Sequence, residues 1–175
     1  MQVEFYRPNS SNTGCGMSFS FVPEKDHYKP CVMINAIQQF SWDANKKIGN
    51  FSGNRDNPEA NVIVKLGINE ASEILSILDT CPMAFCAGVR QFPFAFHAFH
   101  KSGENSTQIS FYPMVKTKKV FVGGKAQENP DLAYSIGIVQ NITKKFSMLI
   151  SHGDGRQLKE FLQIAIMNSH GQIHE

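Results

Sequence analysis

The stretch NVIVKLGINEASEILSILDT, residues 61–80, changes its hydrophobic period part-way along, and that change decides the fold class. Val62, Val64, Leu66 and Ile68 alternate with the period of two that sets them on one face of a strand. From Asn69 onward the apolar positions Ala71, Ile74, Leu75 and Leu78 recur at helical spacing. Asn69 is a candidate N-cap, and Glu70 and Glu73 put negative charge in the first turn, where the helix dipole favours it. The unit is a strand that runs directly into a helix.

The same plan returns in KKFSMLISHGDGRQLKEFLQIAIM, residues 144–167. Phe146, Met148 and Ile150 alternate, Asp154 is a candidate cap, and Leu158, Phe161, Leu162, Ala165 and Ile166 share one helical face. The two units lie about 84 residues apart, nearly half the chain, which reads as an internal repeat. Strand-like segments precede each unit: residues 17–23, 31–42 and 48–51 in the first half, and 92–101, 107–115, 119–122 and 133–139 in the second. PEKD, GNRDNPE, KSGENS, GGKAQENPD and QN separate them as turns. The reading is an α+β chain with two repeats of a four-stranded antiparallel sheet followed by a helix. Repeats 15–80 and 90–168 form a single domain over 1–175, with 1–14 as an N-terminal segment.

A 175-residue chain of this kind can bury a sizeable core, and 42% apolar against 18% charged residues excludes a disordered tail. No run approaches the roughly 20 apolar residues of a membrane-spanning helix. The start MQVEFYRPNSSNTGCG has neither a signal peptide's apolar stretch nor a transit peptide's arginines, so a cytosolic or organellar, unsecreted protein is expected. Cys15, Cys31, Cys81 and Cys86 lack zinc-site spacing and read as small buried hydrophobes in a reducing compartment.

Catalytic signatures are absent from the sequence. GGKA at 123–126 lacks the spacing and the Ser/Thr of a phosphate-binding loop, and Gly153-Asp154-Gly155 is accounted for by a capped turn. His97 and His100 are three apart, which on a strand sends them to opposite faces and argues against a metal pair. No catalytic residue, metal or cofactor is expected.

One helix covers only one face of a four-stranded sheet, so function is sought on the other. If Val62, Val64 and Leu66 face the core, Lys65 points away. Likewise Phe92, Phe94 and Phe96 oppose His97, Phe99 and Lys101, and Ile109 and Phe111 oppose Gln108, Ser110 and Tyr112. Aromatic, lysine and small polar side chains on one face compose a stacking platform for bases. Most of the 14 phenylalanines must nonetheless be core. Two basic clusters sit beside aromatics: Lys46 and Lys47 after Trp42 in FSWDANKKIGNF, and Lys116, Lys118 and Lys119 in MVKTKKVFVGGK. They suit either single-strand binding or protection of a sheet edge. The net charge of +2 gives no bulk argument for nucleic acid. Only four of the cations are arginines (Arg7, Arg55, Arg90, Arg156), which favours a sequence-blind mode.

Two strand-and-helix units, with FSWDANKKIGNF followed by VIVKLGINEASEIL, resemble the Whirly single-stranded nucleic-acid-binding proteins. They are also similar to the smaller coactivators called positive cofactor four and to the trypanosomatid mitochondrial guide-RNA-binding proteins. Phe40, Trp42, Lys46, Lys47, Phe51 and Asn69–Glu70 stand at places comparable to the family's aromatic–Trp–Lys–Lys stretch and helix opening, and the pattern extends over residues 15–168. Gly16 to Phe21 replace the lysine-rich start of the plant proteins, so no ligand contact is assigned to that strand. The resemblance implies binding of single-stranded DNA or RNA across sheet faces, without catalysis, in homo-oligomers (dimers or tetramers). The expected interface comprises Trp42, Lys46, Lys47, Phe51 and Lys65 in the first half. In the second it comprises His97, Phe99, Lys101, Tyr112, Lys116, Lys118 and Lys119. A structural protein whose apolar sheet faces are subunit interfaces is the alternative from another class.

Overall fold

The computed structural model describes residues 1–25 and 27–171. In chain order it contains β1 (Gln2–Arg7), β2 (Cys15–Val22), β3 (Cys31–Gln38), β4 (Ser41–Asp43), β5 (Ile48–Asn50), β6 (Asn61–Gly67) and α1 (Ile68–Cys86). The second half follows with β7 (Phe96–Ser102), β8 (Asn105–Val122), β9 (Lys125–Gln140), β10 (Lys144–Ser151) and α2 (His152–Gly171). Two antiparallel four-stranded sheets result, ordered β1-β2-β3-β6 and β7-β8-β9-β10, each running into its helix. This is the α+β plan expected from the strand-to-helix units.

Alternation governs which side chains meet. Phe5, Met17, Phe19, Val32, Ile34, Val62, Val64 and Leu66 from the first sheet are buried in one cluster with Phe96, Ile109, Phe111, Tyr134, Ile136, Ile138, Phe146, Met148 and Ile150 from the second. Ala71, Ile74 and Leu78 of α1 and Leu158, Phe161 and Leu162 of α2 complete it. Helix α1 touches β3 and β6 but also β7 and β8, and α2 touches β1 as well as β9 and β10. The halves therefore share one core, and each sheet keeps an uncovered outer face.

β7 starts only at Phe96, so residues 92–95, expected to open that strand, lead into it outside the ladder, and four further details depart from the sequence reading. The first sheet begins at Gln2, inside the segment set aside as 1–14: Phe5 pairs with Met17 and faces the core. Val3 and Phe5 are the apolar side chains that β1 turns inward, too few to announce an edge strand between polar neighbours. The segment 31–42 is not one strand. β3 stops at Gln38, and Trp42 pairs with Gly49 in a separate two-stranded hairpin, so 48–51 is no strand of the sheet. Gln39 causes the break. Its buried amide accepts from Asn9 N–H at 2.8 Å and donates to the carbonyls of Asn9 and Ser41 at 2.9 and 3.0 Å, pinning the chain away from the ladder.

The third departure is in GGKAQENPD, where only the first two residues turn. Gly123 and Gly124 have φ of +58° and +78°, with Val122 paired to Lys125 around them. A two-residue loop with positive φ at both positions follows the right-handed twist of a hairpin, so β8 and β9 run on to either side of it. Pro130 is tolerated within β9 because that stretch pairs only with β8, through Thr117, and has a free edge. The PEKD turn includes Asp26, which lies outside the described residues.

The fourth concerns the caps. Helix α1 opens at Ile68 rather than Asn69, with Gly67 as N-cap donating its N–H to Glu70 Oε2 at 2.8 Å. It also continues through Pro82 to Cys86, beyond residue 80. Before α2 the cap is Ser151, not Asp154. Ser151 Oγ accepts from the Asp154 N–H at 3.1 Å, and the Asp154 carboxylate accepts from the Ser151 N–H at 2.8 Å and hydroxyl at 2.6 Å. That reciprocal pair is a capping box.

Asp154 also accepts from Arg7 of β1, joining the first strand of one half to the helix of the other. Burial pushes its carboxyl pKa up, but the Ser151 hydrogen bonds and the Arg7 charge outweigh burial and hold it below the usual value. Asp154 thus stabilises the fold above the ordinary carboxylate range, and this contribution is lost as pH falls through the depressed folded pKa. Asp154→Asn should cost about 1–2 kcal/mol at neutral pH, mostly the cap, since Arg7 is 41% exposed and its pairing is solvent-screened. Urea titrations of both proteins should give differences that shrink on acidification; a constant difference would contradict the assignment.

Candidate nucleic-acid interface

Register assigns the outer face of the second sheet. His97 pairs with Ser110, Ser110 with Gly137, and Gly137 with Ser147, forming one row across the four strands. Phe99, Gln108, Val139 and Lys145 form the next, and Tyr112, Ser135 and Leu149 a third on β8, β9 and β10. Phe96, Ile109, Phe111, Ile136, Ile138, Phe146 and Met148 are buried between these positions, so the rows above point outward. Phe99 is 69% exposed and Tyr112 40% exposed, with His97 placed between them in register. Lys101 on β7 and Lys145 on β10 flank the rows, and none of the outward positions named is acidic.

Gly137 shapes the centre of that face. A Cβ there would stand 2.6 Å from Ser110 Oγ, so the hydroxyl lies against the bare backbone of β9. The middle of the sheet is thereby low, with aromatic rings and lysines at its margins. Gly137, Lys145, Ser147 and Leu149 lie on this face without being assigned to it from the sequence, while Ser110 is placed on it by the sequence but not among its binding residues. The alternation that buries Phe146, Met148 and Ile150 contained the signal, because its complement is Lys145, Ser147 and Leu149.

His97, Phe99, Lys101 and Tyr112 are therefore brought together. His100 is not with them: it faces the other way and its Nε2 meets Glu70 Oε1 at 2.7 Å, binding β7 to the start of α1. Lys116 and Lys118 follow Tyr112 at even positions of β8, while Lys119 falls on the opposite side. Those three lie on the continuation of β8 and β9 past the sheet, opposite Asp131, Asn129 and Glu128 respectively.

The first-half residues are dispersed. Trp42 is half-buried in the β4–β5 hairpin, with exposed Lys46 and Lys47 at its turn, where Asp43 Oδ1 accepts from the Asn45 and Lys46 N–H groups at 3.0 Å. Lys65 is exposed on β6, on the outer face of the first sheet beside Met33. Phe51 stands over another part of that face, its ring 5.2 Å from the Tyr6 ring. Together with Arg55 and Asn35 they line a groove of about 580 Å³ that also contains Glu4 and Asp56. Two carboxylates in that groove oppose phosphate, which separates it from the acid-free face of the second sheet. Tyr6 and Arg55 went unassigned in the sequence because β1 and the loop after β5 were not read as part of this face.

Three of the thiols are buried as expected, and burial pushes Cys15 and Cys81 up to about 12, but Cys86, at the solvent-facing end of α1, is exposed and not the buried hydrophobe the sequence suggested. Among the described residues no helix is long and apolar enough to cross a membrane.

No family model matches the sequence. No curated protein matches it either. Solved structures do. WHY3 from Arabidopsis thaliana superposes with a TM-score of 0.51 at 9% identity, covering 98% of this chain and 89% of that one. The plant transcriptional regulator PBF-2 superposes with a TM-score of 0.50 at 10% identity, covering 98% of this chain and 83% of that one. At such identities the likeness is one of architecture, and the architecture this chain adopts is the Whirly-like fold.

Proposed function

We propose that this chain binds single-stranded DNA, largely without sequence preference, and serves DNA replication, recombination or repair without catalysing a reaction. The observation that carries this reading is the uncovered outer face of the second sheet. It presents Phe99 and Tyr112 for stacking, His97, Lys101 and Lys145 around them, and no carboxylate in the named rows. Unpaired bases offer a π-face to an aromatic ring whatever their identity, while lysine meets phosphate as a point charge. Self-association into a dimer or tetramer belongs to the same proposal. Met83, Ile164 and Met167 support it as apolar side chains left 78%, 47% and 71% exposed on the helices.

Anisotropy titrations with labelled oligothymidine, oligouridine and blunt duplex DNA at two salt concentrations test the reading. Oligothymidine should bind, more tightly than the duplex, and log Kd should rise with log salt by about 0.7 for each phosphate contacted. No oligothymidine binding at low salt would overturn the proposal. Tighter binding of oligouridine would replace DNA by RNA as the ligand.

A further inference from the structure

Strands β8 and β9 outrun their sheet. β7 pairs with β8 only as far as Phe96 opposite Phe111, and β10 pairs with β9 only as far as Ser151 opposite Ala133. Beyond Met114 opposite Ala133, β8 and β9 pair solely with each other, from Val115 opposite Leu132 to Val122 opposite Lys125. The result is a two-stranded ribbon about 25 Å long with both edges open. Residues 123–130 are all exposed, and Phe121 near the tip is 74% exposed. An isolated hairpin gains little stability for itself, so a long one bearing an exposed phenylalanine is built to lie against something.

Its charge identifies the occupant. Residues 113–132 hold four lysines against Glu128 and Asp131, a net +2 that equals the net charge of the whole chain. Lys116 and Lys119 stand opposite Asp131 and Glu128, whereas Lys118 and Lys125 stand opposite Asn129 and Val122 and have no acid across from them. A twisted two-stranded ribbon fits the roughly 12 Å major groove of B-form DNA, and about 25 Å covers some two-thirds of one helical turn. The deep, narrow major groove of an A-form RNA duplex does not admit it.

We infer that the ribbon is a duplex-binding arm, and that the preferred ligand is single-stranded DNA joined to a duplex. This deepens the proposed function and rests on it. Tyr112 lies at the root of the arm and on the stacking face at once, so one continuous pair of strands spans the junction. The single strand occupies the sheet face; past it Phe121, on the Lys119 side of the ribbon, offers apolar contact to base edges and thymine methyls on the groove floor, while Lys118 and Lys125, on the other side, reach round the open edges to duplex phosphates.

The test uses the full chain and three probes: a labelled thymidine tail, a DNA duplex carrying that tail, and the equivalent RNA duplex with the same tail. The tailed DNA duplex should bind about tenfold more tightly than the tail alone, and the RNA version should not. Phe121→Ala with Lys125→Ala, both at exposed positions, should abolish the preference and lower the salt slope for the tailed duplex by about 1. Equal affinity for tail and tailed duplex would refute the arm and leave the sheet-face reading standing; failure to bind either DNA would refute both. If the double variant keeps the preference but changes the sedimentation coefficient of the free protein, the arm is a contact between copies and the inference is wrong.

Discussion

Tyr134→Ala should lower the unfolding free energy by about 3–5 kcal/mol, the cost of emptying a large aromatic site in a core that relaxes only partly. Tyr134 is 1% exposed, and its ring stacks on Phe111 at 5.6 Å between centroids and 19° between planes. It stands where β9, β8 and both helices meet: a Cβ on Gly155 of α2 would lie 2.5 Å from its ring and 3.4 Å from Leu78 of α1. Glycine at 155 is therefore what lets α2 descend onto the ring. Gly155→Ala should cost about 1–3 kcal/mol by overpacking in the native protein. It should cost less in the Tyr134→Ala background, where the methyl enters vacated space, because contacting residues couple. Urea unfolding of the four proteins measures both effects. A Tyr134→Ala cost below about 1 kcal/mol, or strict additivity, would contradict a shared core closed at this residue.

Removing both rings of the outer face should have the largest effect on binding. Each base stacked on an aromatic is worth about 1–3 kcal/mol, so Phe99→Ala with Tyr112→Ala should weaken oligothymidine binding at least about thirtyfold. Both side chains are exposed and belong to no core contact, so the urea midpoint should change little. Phe51→Ala with Trp42→Ala is the informative comparison, because those rings sit in the carboxylate-bearing groove and on the separate hairpin. That pair should weaken binding far less. Equal losses from the two double variants would mean that the sequence-derived division of the interface between both halves was nearer the truth.

What could be read from the sequence follows a physical division. Wherever a strand is half-buried and long, alternation determines the outcome. Val62, Val64 and Leu66 against Lys65, or Phe96 against His97 and Phe99, lie where period two puts them. Both helices were visible because their apolar stripes are strong and a strand leads into each. β1 was not visible, since an edge strand with one deeply buried side chain, Phe5, hardly differs from a polar tail. The break at Gln39 was hidden as well. A buried amide satisfied by Asn9 and Ser41 is a tertiary fact with no periodic trace, and without it residues 31–42 read as one strand. Side-chain preference alone points to Asn69 and Asp154 as caps, whereas the observed caps are set by Glu70 accepting from the Gly67 N–H and by the reciprocal bonds of Asp154 with Ser151. The candidate face was legible in part for the same reason. Its aromatic and lysine members announce themselves, while Gly137 and Ser110 matter through their neighbours.

The most direct measurement of the central claim is photo-cross-linking of the full chain to oligothymidine carrying a photoreactive base, with the attached peptides identified by mass spectrometry. The account predicts adducts at Phe99 and Tyr112, on the outer face of the second sheet, and their suppression by unlabelled oligothymidine. Adducts confined to Tyr6 and Phe51 in the groove of the first sheet, or to the helices, would contradict it.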